Sequence, residues 1–182
     1  MRAALKLNPG SAQANLLFGL LCATMGRFDE AVAAGRRALQ LDPLSPYVHS
    51  YLQLLLLMSG RYEEVEKVGQ ALLQIQPNFA LAYMWNGLSH ALRGDFGKAE
   101  PLMGRAAELD QIMVVTINLG LMRALNGQKA LARAQLAKIH RIGQRRYVCP
   151  YEIGAVHAAM GEMDDAYRWM DKGLADRCNC MV

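Results

Sequence analysis

The sequence predicts an all-α fold, antiparallel helix pairs stacked as an α-solenoid, and three observations carry that expectation. First, glycine-centred stretches recur along the 182 residues: MGRFDEA at 25–31, SGRYEEV at 59–65, RGDFGKA at 93–99, NGQKALA at 126–132 and MGEMDDA at 160–166. Their glycines, Gly26, Gly60, Gly94, Gly127 and Gly161, are separated by 34, 34, 33 and 34 residues, the kind of fixed period that marks repeat architectures. Second, a proline ladder keeps step with the glycines. LNP, LDP and IQP place Pro9, Pro43 and Pro77 at a spacing of 34, with Gln111 at the next expected position. Third, the stretches flanking each glycine carry apolar residues at helical spacing, and none alternates as a strand would.

Each glycine is expected to end one helix and each proline to follow the end of the next, so the unit is helix, turn, helix. The first (A) helices are predicted over 12–25, 46–59, 80–93, 113–126 and 150–160, and the second (B) helices over 28–41, 62–75, 96–109, 129–141 and 163–175. The corresponding repeats run approximately 12–45, 46–79, 80–112, 113–146 and 147–180 of a single array, with 1–11 as the end of a preceding repeat.

Composition narrows the class. With 53% hydrophobic and 20% charged residues the chain has ordinary globular composition, which excludes a disordered tail. Nothing at the start resembles a charged leader with a cleavage site, and no apolar run approaches the ~20 residues of a membrane span, so a cytoplasmic protein is expected. The four cysteines, Cys22, Cys149, Cys178 and Cys180, lack framework spacing and are expected to be reduced thiols.

In its turns and small residues the chain resembles the tetratricopeptide repeat (TPR) family. Gly19, Gly87, Gly120 and Gly154 in the A helices, with Ala31, Ala99, Ala132 and Ala166 in the B helices, match the family's small residues. Gly26-Arg27-Phe28, Gly60-Arg61-Tyr62 and Gly94-Asp95-Phe96 match its turn and following aromatic. Repeat two departs from the pattern, with Gln53 and Val65 at the small positions, repeat four is one residue short, and repeats four and five lack the turn aromatic. The resemblance implies a right-handed α-solenoid of about five units whose A helices line a concave groove. The last unit, from Tyr147 to Arg177, is also similar to the final repeat of TPR segments that close many bacterial multidomain proteins. RAALKLNP at 2–9 reads as the end of a B helix, with Ala4 and Pro9 one period before Ala38 and Pro43, and ADRCNCMV follows the last helix without a polar cap. A piece of something larger, or a chain that associates through its ends, is therefore expected.

The run Leu52, Leu54, Leu55, Leu56, Leu57, Met58, interrupted only by Gln53, needs a cover made of protein. On a helical wheel Tyr47, Ser50, Tyr51, Leu54, Leu57 and Met58 share one face, while Val48, Leu52, Leu55 and Leu56 face the paired helix. One period away, the first face continues as Leu16, Leu17 and Leu20, then as Leu81, Met84, Trp85 and Leu88, then as Ile117 and Leu121, and reaches Tyr151 in the last repeat. Where TPR proteins that bind charged peptide tails often carry Asn, this chain has Leu20, Leu54, Leu88, Leu121 and Ala155, so the resemblance does not imply a carboxylate clamp. Some of this stripe is expected to be core. As a whole it exceeds the apolar patch that monomers usually expose, so an amphipathic helix or apolar segment is expected to dock there, from a protein partner, a missing part of the polypeptide or a second copy. Methionines such as Met58, Met84 and Met122 suit an adaptable surface.

Charge is segregated. Between Asp110 and Glu152 there is no acidic residue, while Arg123, Lys129, Arg133, Lys138, Arg141, Arg145 and Arg146 supply seven of the charges behind the net +4, leaving the remainder at −3. Three readings are open for this block: a solvated face, an acidic protein partner, or nucleic acid. Nucleic acid is the least expected, because only Tyr147 is close enough to stack. Nothing in the sequence predicts catalysis, a cofactor or a metal. Cys178-Asn179-Cys180 with His157 or Cys149 lacks the paired spacing of zinc sites, and His49 and His90 read as interior or edge residues rather than bases. The function expected is a protein-interaction scaffold, with self-association, packing on an effector domain, or an acidic or nucleic-acid partner at 123–146 as alternatives.

Overall fold

The computed structural model describes residues 8–110 and 112–178. Ala4, Gln111, Asn179 and Cys180, which the repeat register and the thiol reading invoke, lie outside them. Among the described residues there are ten α-helices and no strand: α1 (Ala12–Thr24), α2 (Phe28–Leu41), α3 (Pro46–Met58), α4 (Tyr62–Ile75), α5 (Ala80–Leu92), α6 (Phe96–Leu109), α7 (Met113–Leu125), α8 (Lys129–Gly143), α9 (Pro150–Ala159) and α10 (Met163–Ala175). They coincide with the expected A and B helices almost residue for residue, α8 running on to Gly143. No helix among the described residues is long and apolar enough to cross a membrane.

The chain divides into two compact units, one ending at His90 and the other beginning at Ala91. In the first, α1 packs on α2 and α3 on α4, while α2 and α1 both touch α3. In the second, α7 packs on α8 and α9 on α10, with α7 also touching α6 and α9. In each unit, then, successive first helices are neighbours.

Local chemistry sets the helix ends. The Ser11 hydroxyl accepts from the Ala14 N–H at 3.1 Å and the Ser45 hydroxyl from the Val48 N–H at 3.4 Å, each satisfying a donor that the first turn leaves without a helical partner. The five periodic glycines all lie in the left-handed region, with φ between 69° and 79°. The next N–H then folds back onto the helix, as from Arg27 to the Cys22 carbonyl (2.8 Å) and from Arg61 to the Leu56 carbonyl (2.9 Å). A side chain at such a φ costs about 1–2 kcal/mol, which is why glycine punctuates the repeat.

The helices of a pair approach closely because small residues face one another. A Cβ on Gly19 would lie 2.9 Å from Leu55 Cδ1 and 3.0 Å from the Ala31 carbonyl oxygen; one on Gly154 would lie 3.1 Å from the Ala166 carbonyl oxygen. Leu55, fully buried, also reaches to 2.9 Å from where a Cβ on Gly35 would sit, so one leucine side chain fills the notch between two glycines.

Repeat two replaces that notch with a polar contact. Gln53 is buried, and its Nε2 donates to Asn86 Oδ1 at 2.9 Å and to the Val65 carbonyl at 3.3 Å. Room comes from the opposite helix, where a Cβ on Gly69 would stand 2.5 Å from Gln53 Nε2 and collide with the Asn86 amide. Gly69 lies one period after Gly35, so the second repeat keeps the glycine of the second helix and fills the place of the first helix's glycine with Gln53.

In the second unit a charged contact ties the last turn to α8. Arg133 pairs with the Glu162 carboxylate, which also meets His157 Nδ1 at 2.8 Å. The His157 hydrogen bond, and after it Arg133, hold the Glu162 carboxyl below the usual carboxylate range.

Two outcomes are expected. Gly69→Ala should lower the stability of the folded chain by roughly 1–3 kcal/mol in urea unfolding, whereas Gly104→Ala, whose Cβ meets nothing within 4 Å in the middle of α6, should be neutral or stabilising. Because its pKa is depressed, Glu162 contributes stability above the unfolded carboxylate pKa and loses it as pH falls through the folded value. Glu162→Gln should therefore be less stable than the parent by at most about 1 kcal/mol at neutral pH, with the difference vanishing in acid.

Candidate functional site

The stripe read from the sequence is sorted by the structure into buried and open rungs with the same register in successive first helices. Leu16, Ser50, Met84 and Ile117 occupy one equivalent position and are all buried, as are Ala23, Leu57, Ala91 and Ala124 seven residues later. Leu16 belongs to a core cluster with Ala38 and Val48, and Ile117 to one with Ile139, Ile153 and Val156, so these side chains are consumed by packing. Leu88 is buried as well, at 5% exposure.

The open rungs lie between them. In the first unit Leu17 (43%), Tyr47 (63%) and Met58 (38%) are exposed, and Leu20, Tyr51, Leu54, Leu81 and Trp85 are half-buried. In the second unit Leu121 is half-buried and Leu125 and Tyr151 are exposed.

The first unit has the more developed surface. Tyr47 and Tyr51, one turn apart at the start of α3, bring their ring centroids to 5.3 Å at 30°. With Gln13, Leu16 and Leu17 of α1 they line a hollow of about 220 Å³. Burial, and then the neighbouring Tyr47, push the Tyr51 hydroxyl pKa up, so it stays a neutral donor. Trp85 is half-buried, and its Nε1–H donates to Ser50 Oγ at 3.0 Å, which fixes the indole while satisfying its polar atom. The open rungs Leu17, Leu20, Tyr47, Tyr51, Leu54, Met58, Leu81 and Trp85 include no charged side chain. In the second unit the equivalent face carries Glu152, whose carboxyl is pushed up by burial.

The basic residues separate differently. Lys138, Arg141, Arg145 and Arg146 gather around one cleft at the carboxyl end of α8, together with Ile112, Met113, Ile142 and Tyr147. Arg133 does not join them, being held by Glu162. The sequence marked the cations but not the apolar residues between them, because Ile112 and Met113 are about thirty positions away and only the turn of α7 onto α8 brings them together.

The remaining candidates fall into structural roles. His49 is buried with its Nε2 at 2.9 Å from the Pro43 carbonyl, and His90 is buried beside Glu66 at 3.3 Å. Cys149 and Cys178 are buried with their sulfurs 2.7 Å apart, and the donor atom of His157 gathers with those of Glu162 and Asp165 within 4.8 Å. A cation there would compete with the Arg133 guanidinium for Glu162.

Comparison with known proteins agrees with this architecture. Residues 1–46 match the family model described as tetratricopeptide repeat. No match is found among curated proteins. Among solved structures, a thermophilic TPR protein of Thermus thermophilus is 21% identical, with 91% of each chain covered and a TM-score of 0.71. MamA of Desulfovibrio magneticus RS-1 is 20% identical over 79% of this chain and 82% of its own, at a TM-score of 0.57. YrrB, described as a TPR protein with an unusual peptide-binding site, is 19% identical over 99% of this chain and 93% of its own, at 0.51. Residues 1–46 thus match the tetratricopeptide repeat family in sequence, and the helix pairs share the fold of solved TPR proteins.

Proposed function

We propose that the chain is a protein-binding scaffold and that the open rungs of its first helices receive an apolar or amphipathic polypeptide segment, in the manner of a helix laid in a groove. The observation that carries this reading is the set of uncharged rungs in the first unit, where Leu17, Tyr47 and Met58 are exposed beside half-buried Leu20, Tyr51, Leu54 and Trp85. Each wet leucine forgoes roughly 1.5–3 kcal/mol of burial, and a ligand that covers several recovers that stabilisation. The tyrosine pair and the tethered Trp85 supply rigid, amphipathic contact area with few rotamers to freeze, the residue types that dominate binding energy in interfaces. The solved protein described as having a peptide-binding site has the same fold, which supports a peptide as the class of ligand.

The buried rungs Leu16, Leu57, Met84, Leu88 and Ile117 take part only by shaping the wall. The test accordingly uses half-buried residues. Replacing Leu20 and Leu54 by aspartate should weaken capture of a partner from native extract at least about tenfold, with helicity by circular dichroism unchanged. Retention equal to the parent chain would contradict the reading. Light scattering across a concentration range identifies the occupant as a second copy if the mass doubles without any ligand.

A further inference from the structure

We infer a second recognition surface, distinct from the open rungs: the cleft at the carboxyl end of α8 binds an acidic peptide segment that carries an apolar side chain between its carboxylates. The cleft, of about 780 Å³, lies wholly within the second unit. Four cations, Lys138, Arg141, Arg145 and Arg146, stand around it, and no carboxylate lines it. None of the stripe residues Val114, Ile117, Leu121 or Tyr151 contributes to its wall.

The state of the arginines is the first argument. Elsewhere Arg27, Arg36, Arg61, Arg105, Arg133 and Arg168 each meet a carboxylate of this chain. Arg141, Arg145 and Arg146 are exposed and have no carboxylate partner among the described residues, in a segment that contains no Asp or Glu from 111 to 151. The carbonyl end of α8 carries roughly half a negative charge, too little to balance these three arginines. Charge of the opposite sign has to come from outside the chain, and guanidinium groups bind carboxylates through paired, directional hydrogen bonds.

The floor of the cleft is the second argument, and it selects peptide over nucleic acid. Ile112 is 40% exposed, and it sits with Met113 and Ile142 among the cations. An apolar side chain entering between the arginines would cover these atoms, which a sugar–phosphate backbone would not. Tyr147 is the one aromatic residue lining the cleft, where a strand of bases would need a series of stacking platforms.

The experiment is fluorescence anisotropy on the full chain with a short labelled peptide in which glutamates flank a central leucine and phenylalanine. The other probes are the same peptide with glycines at the centre, the same peptide with glutamines in place of the glutamates, and a labelled single-stranded oligonucleotide. The glutamate peptide should bind, its affinity should fall several-fold as salt rises from about 0.05 M to about 0.5 M, and both altered peptides should bind more weakly. Arg141→Ser/Arg145→Ser/Arg146→Ser, all at exposed positions, should keep its helicity and lose at least about tenfold in affinity. Leu20→Asp/Leu54→Asp should bind this peptide as the parent chain does, which separates the two surfaces. Absence of binding at low salt, equal affinity in the triple variant, or tighter binding of the oligonucleotide would overturn the assignment.

Discussion

At Gly19 and Gly154 a methyl group would press on the backbone of the paired helix, and much else in the structure follows from that closeness. At Gly19 the space is taken by the Ala31 carbonyl and the tip of Leu55, and at Gly154 by the Ala166 carbonyl. Such contact leaves Leu55 and Leu52 no exposure beyond 2%. It requires each chain reversal to be tight, which a glycine with φ near +70° provides. The second repeat shows that the constraint concerns volume rather than residue type: Gln53 enters the interface in the room that Gly69, like Gly35 one period earlier, leaves on the facing helix.

Because the second helix of each pair takes up one side of the first, and the neighbouring first helix takes up part of another, only a strip of each first helix is left open. The register of that strip repeats. Rungs at Leu16 and Ala23 are buried while Leu17, Leu20 and Thr24 between and after them stay open or half-open, and the same alternation holds from Ser50 to Met58. The proposed ligand surface is the part of an amphipathic helix that packing does not reach. Its composition is therefore free to vary from repeat to repeat, and in this chain it is leucine, methionine and aromatic.

The helices and turns were legible because two independent punctuation marks, glycine and proline, share one period, and the helices end beside them. The surface was legible only in part. Helical spacing marks which side chains share a face, but it does not say how deep a neighbour sits over that face. Leu88 and Leu54 occupy equivalent positions, yet one is buried and the other half-buried. The cleft beside Arg141 was half visible: the cations form a run in the sequence, whereas Ile112 and Met113 reach them only through tertiary packing. The fit of Gln53 against Gly69 was not legible, since the two residues lie on different helices and only Gln53 departs from the repeat, Gly69 matching Gly35 one period earlier.

Thus one chain presents two chemically different faces. Uncharged rungs in the first unit suit a ligand recognised by burial; unpaired arginines in the second suit one recognised by charge. Methionine-methyl NMR tests the first and central of these claims most directly, since Met58 is exposed on the open strip while Met103 and Met122 are fully buried. On titration with a leucine-faced amphipathic peptide, the Met58 methyl should shift while those of Met103 and Met122 hold still. A bound peptide that left Met58 unmoved and shifted Met163, exposed on the outer helix α10, would contradict the account.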